Sequence, residues 1–115
     1  MITKEIKIPI YFGKLILIYT DNLEKVNQVY NTKIDDSLYD AVVFEPMDKD
    51  EYVIAIKVAK WSIIAHEIVH VVNAIFLKCG IELDRNNDEP QAYLTGWVAE
   101  EIDKFLKDVN GKKKK

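Results

Sequence analysis

Cysteine is almost missing from these 115 residues: Cys79 stands alone, so the chain can build no internal disulfide, and a reducing, cytoplasmic setting is expected. Arginine is as scarce, Arg85 being the one basic residue of 16 that is not lysine. The net charge is −3, and it becomes −7 for residues 1–111 once the four positive charges of Lys112–Lys115 are set aside. An acidic body without arginine clusters excludes a nucleic-acid partner, and the lysine run reads as a solvated end. Long apolar runs are also missing. The longest, Leu15 to Tyr19, is strand-sized and far short of the roughly 20 residues of a membrane span. Lys4, Glu5 and Lys7 interrupt the N-terminus, unlike the apolar core of a secretory leader, so no membrane partner is expected. Disorder is excluded by a hydrophobic content of 49%, which at this length suits a single core.

Ile6, Ile8 and Ile10 alternate with Lys7 and Pro9 and predict a half-buried strand, placed at a sheet edge by Pro9. Gly13-Lys14 turns into a second strand, Leu15 to Tyr19. Asp21 and Glu24 resemble a capping box for a helix over about 22–31. Tyr39–Glu45 and Tyr52–Val58 are further β-rich runs around a hairpin loop at 46–50. From Trp61 to Cys79 the apolar spacing is helical, and Gly80 supplies the left-handed stop. Pro90 suits the first turn of a last helix over about 89–109. The expected architecture is a small α+β domain, β-β-α-β-β-α-α, over residues 1–109, with 110–115 a frayed or disordered lysine-rich tail.

The two histidines of the chain fall in His66-Glu67-Ile68-Val69-His70. On a helix, residues four apart share a face, so both imidazoles can bind one metal ion while Glu67 reaches a water beside it. Two histidines placed at random would fall four apart, with one of the nine glutamates after the first, roughly once in 750 trials, which favours a site over coincidence. Catalytic zinc uses three protein ligands and an open position. Cys79 lies about two and a half turns beyond His70, too far to share the ion, so a carboxylate is needed. Glu89 is the first candidate, because it shares a helical stripe with Ala92, Gly96 and Ala99, small residues that would let two helices approach closely. Its other role would be to complement the helix dipole, and Asp84, Asp88 and Glu100 are the alternatives.

The HExxH motif at His66–His70, with a helix-borne glutamate 19 residues later, resembles the gluzincin class of zinc peptidases, and Glu89 to Ala92 is similar to the Glu-x-x-Ala of ImmA/IrrE-type peptidases and of small phage and prophage proteins. The specific part of the resemblance covers residues 61–100. It implies a zincin-like fold, with the sheet packed on the HExxH helix and a C-terminal helix carrying the third ligand. It also implies zinc on His66, His70 and Glu89, Glu67 as general base, and a peptide or protein substrate added to an edge strand, here Tyr52–Ile56. Where several gluzincins carry an aspartate this chain has Tyr93, a candidate for steadying a histidine or the oxyanion, and Asn73 is a second candidate for holding a histidine tautomer. The competing expectation is an interaction module of phage type, with or without zinc and with no proteolysis, acting through a protein partner. Trp61 and Trp97 read as core anchors, Tyr11, Phe12 and Tyr19 as hairpin packing, and Cys79 as a buried small residue.

Overall fold

The computed structural model describes residues 1–47 and 49–113. Its elements follow the expected order: β1 (Ile2–Lys7), β2 (Lys14–Tyr19), α1 (Glu24–Tyr30), a short 3-10 turn (Asp36–Leu38), β3 (Ala41–Phe44), β4 (Glu51–Ile56), α2 (Trp61–Lys78) and α3 (Glu89–Lys113). The strands form one mixed sheet in the order β1-β2-β4-β3. Two antiparallel hairpins, β1–β2 and β3–β4, are joined by a parallel β2–β4 pair. The α+β architecture is as the pattern predicts.

The inner strands explain their own sequences. Leu15, Leu17, Tyr52, Ile54 and Ile56 face α2 and α3, whereas Ile16, Ile18, Val53 and Ala55 face α1 and the segment after it. A strand covered on both faces loses polar alternation and becomes a continuous apolar run, which is what Leu15–Ile18 and Tyr52–Ile56 are. α2 lies over β3 and β4, and α3 over β2. α2 has the length and apolarity of a short membrane span, which a search for uninterrupted apolar runs overlooks. Its apolar face, Ile64, Ile68, Val71, Val72, Ile75 and Phe76, is buried in this core.

Several local expectations shift. β1 ends at Lys7, before Pro9, and Ile10 is exposed rather than inward. Proline ends the ladder, and the chain folds back through Tyr11 N–H to the Pro9 carbonyl at 2.8 Å and Ile8 N–H to the Gly13 carbonyl at 3.1 Å. The capping box does not form. Asn22 Oδ1 accepts the Glu24 N–H at 2.9 Å, Asp21 pairs with Lys25 at 2.7 Å, and Glu24 reaches the Asp36 N–H at 3.1 Å. At the end of α2, Gly80 takes φ 72 and Ile81 N–H donates to the Phe76 carbonyl at 2.8 Å, the predicted stop. α3 continues through Asn110 and Gly111 to Lys113, four residues past its predicted end. Lys114 and Lys115, the rest of the expected tail, lie outside the described residues.

Candidate functional site

The first half of α2 lies beside β3, at an edge of the sheet. Its face towards that edge carries His66 and His70, both exposed, while Glu67 between them is turned inward and only 8% exposed. These three side chains line a groove of about 450 Å³ with Ile34, Tyr39 and the whole of β3. Tyr39, Asp40 and Ser62 line an adjoining concavity that also reaches His66 and Glu67.

Helical spacing brings the two imidazoles together. Their Nε2 atoms are 3.2 Å apart and the rings cross at 72°. Two metal–nitrogen bonds of about 2.0–2.1 Å spanning that separation would meet at about 100–105°, close to tetrahedral, so the separation itself is one that a single zinc ion could bridge. Burial pushes the Glu67 carboxyl up from its ordinary value, and the two neighbouring imidazoles pull it partly back. Asn73, one turn beyond His70, carries a buried Oδ1 with no hydrogen-bond partner among the described residues. Asn73 does not line the histidine groove, and no hydrogen bond joins it to His70 among the described residues.

The third ligand is where the structure departs from expectation. Among the described residues no group of three or more His, Cys, Asp or Glu is arranged to hold a metal ion. α3 packs over β2, whereas the histidine pair faces β3, and no described residue of α3 lines the histidine groove. Glu89 is exposed at the start of α3, and Asp84, Asp88 and Glu100 are exposed as well. Tyr93 is 76% exposed, without a place beside either histidine. The small-residue stripe is not a close-packing face, for of its three small residues only Ala99, partly buried, packs on the core. Ala92 and Gly96 are exposed, and a Cβ added at Gly96 meets nothing within 4 Å. Leu94, Val98, Ile102, Phe105 and Val109 make the helix contact instead, because burying large side chains releases more free energy than close approach of small ones. Gly96→Ala is therefore expected to stabilise the domain by about 0.5–1 kcal/mol, the helix-propensity gain, read as a higher midpoint in urea. A loss of stability would restore the close-packing role.

Tyr52–Ile56 is not the receptive edge either. β4 is paired on both sides, with β2 and with β3. The strand at the histidine groove whose outer side no described strand covers is β3. The signal was present in the sequence, since an uninterrupted apolar run marks an interior strand. Nothing in the local pattern of Tyr39 and Asp40, at the entry to β3, sets them apart as neighbours of the histidine pair, Tyr39 in the groove and Asp40 in the adjoining concavity. Among the supposed packing residues, Phe12 and Cys79 are exposed, Trp61 is half-exposed, and Trp97 packs on the core.

No family model matches the sequence, and neither the curated proteins nor the solved structures contain a match to the chain.

Proposed function

We propose that this chain is a zinc-dependent hydrolase of peptide bonds, in which His66 and His70 hold the metal, Glu67 moves the proton and the free edge of β3 receives an extended peptide. The observation that carries this reading is the convergence of the two Nε2 atoms to 3.2 Å beside the buried Glu67 carboxyl, in the groove lined by β3. Held by His66, His70 and a carboxylate, zinc would supply a Lewis acid and lower the pKa of water towards about 7. The remaining work falls to the chain. Backbone groups of Ala41–Phe44, which line the groove opposite His66, Glu67 and His70, would hold the substrate by strand addition. Glu67, its proton affinity raised by burial, takes a proton from the attacking water and passes it to the leaving amine.

Glu89 is the third ligand that the family resemblance implies; among the described residues neither it nor Asp40, which shares a concavity with His66 and Glu67, is arranged with the pair to hold a metal, so a carboxylate would have to move to take the third position. Elemental mass spectrometry of the untagged chain is expected to find about one zinc per chain, lost in His66→Ala. Asp40→Asn is expected to weaken zinc about tenfold or more while Glu89→Gln leaves it unchanged. The reverse pattern returns the third position to Glu89. A folded chain that neither carries nor takes up zinc overturns the proposal.

A second reading, a binding module without hydrolysis, draws on one observation. Among the described residues no third ligand joins the pair, and 3.2 Å also suits a hydrogen bond between two neutral imidazoles. Cleavage of a peptide library by the zinc-loaded chain, lost in Glu67→Gln, separates the two, because a binding module could also hold zinc.

A further inference from the structure

The opposite flank of the sheet, around the β1–β2 connection, carries a feature that neither the core nor the candidate site explains. In Pro9–Gly13 the chain places Tyr11 inward and its two neighbours outward. Ile10 is 86% exposed and Phe12 83% exposed. Both adopt left-handed backbone, φ 73 and φ 63, which a β-branched or aromatic residue rarely does. The conformation is held by the Tyr11 ring on Phe76 at 5.5 Å, by the Cys79 thiol donating to the Tyr11 carbonyl at 3.3 Å, and by the fold-back hydrogen bonds already described. Strain and apolar exposure are two separate costs, and the isolated monomer gains nothing from either.

Phe12 stands as a knob between two concavities. One, of about 500 Å³, is lined by Tyr11, Tyr52, Cys79 and Ile81, and Leu77, 82% exposed, lies beside its Lys78. The other, of about 520 Å³, is lined by Ile8, Lys7, Lys14 and Lys49. A knob adjacent to its own hole is what a two-fold contact between identical surfaces requires, because each copy then offers both partners of the fit. The charges point the same way. Lys14 pairs with Glu5 at 3.6 Å and Lys78 with Asp50 at 3.2 Å, and with Lys7, Lys49 and Glu51 the rim carries both signs, lysine in slight excess. A rim of both signs suits a second copy and gives an anionic lipid surface little net charge to attract.

We propose that this end of the domain is a homodimer interface, with Phe12 and Ile10 of each copy seated in the Tyr11–Cys79–Ile81 concavity of the other. The proposal stands independently of the hydrolase reading. Sedimentation equilibrium of the full chain in reducing buffer, from micromolar to millimolar, is expected to show a mass rising from 13.3 kDa towards twice that value. Phe12→Asp, an exposed substitution in a backbone region that aspartate tolerates, weakens the dimer about tenfold or more. Ile10→Gly also weakens it, yet raises the Tm of the dilute monomer by about 4 °C through relief of strain. Maleimide labelling of Cys79 slows as the dimer forms in the wild type, and not in Phe12→Asp. A chain that stays monomeric throughout the range overturns the proposal, including one that instead sediments with anionic vesicles. So does a dimer that both variants leave intact.

Discussion

In Glu67→Gln, hydrolysis of any peptide that the zinc-loaded wild type cleaves falls by about 10²–10⁴-fold, while bound zinc stays at the wild-type level. Glutamine keeps the shape and the burial of the side chain and loses its capacity to accept a proton, so the chemical step fails and the histidine pair is untouched. The variant has a second signature that needs no substrate. Burial raises the folded-state pKa of Glu67 above its unfolded value, so folding favours the neutral carboxyl. The cost of the buried charge is absent below the unfolded pKa and grows as pH rises through the folded one. Metal-free Glu67→Gln is therefore more stable than metal-free wild type at neutral pH. The difference shrinks as pH falls into the carboxyl range, as thermal melts in chelator would show. Retained hydrolysis removes Glu67 from the mechanism. An unchanged stability difference at acid pH removes the buried-charge explanation.

Gly13→Ala carries the largest expected effect on folding. Gly13 has φ 83, and a Cβ there would lie 2.8 Å from the backbone oxygen of Asp50 and 3.4 Å from the Tyr52 ring. The oxygen belongs to main chain and cannot swing away. It also accepts the Lys14 N–H at 2.8 Å, the hydrogen bond that opens the β2–β4 seam. Left-handed strain and the collision together cost about 3 kcal/mol, a fall in Tm of about 10–15 °C. Gly80→Ala is the control. Its φ is 72, but nothing lies within 4 Å of the added atom, so only the strain of about 1 kcal/mol remains. Equal losses in the two variants would mean that the Asp50 contact carries no weight.

Local chemistry made most of the fold legible. Gly80 marks the end of α2, the loop at 46–50 marks a hairpin, and His66 to His70 marks one helical face, because each depends on residues a few positions apart. What the chain does over longer distances was not legible. The pairing of β2 with β4 is parallel and joins residues 37 positions apart, from Lys14 with Glu51 to Tyr19 with Ile56. The apolar run of β4 marks it as interior, but which strand covers its second side, and so leaves β3 beside the histidines, follows only from that pairing. The phase of α3 was open for a different reason. Two stripes at helical spacing run along it, one of small residues through Glu89 and one of large residues through Leu94 and Val98. Only the arrangement of α2 and the sheet decides which is buried.

The parallel seam also determines how the chain can come apart. Each hairpin has a short loop and little entropy to lose on closing, but joining them closes a loop of 37 residues, worth about 3 kcal/mol by loop-closure scaling. That loss is recovered only when Ile16, Leu17 and Ile18 meet Val53, Ile54 and Ala55, all of which are fully buried. Either hairpin alone would leave its half of the seam in water. The domain therefore has no stable half, and a single cut anywhere between β2 and β3 would loosen both.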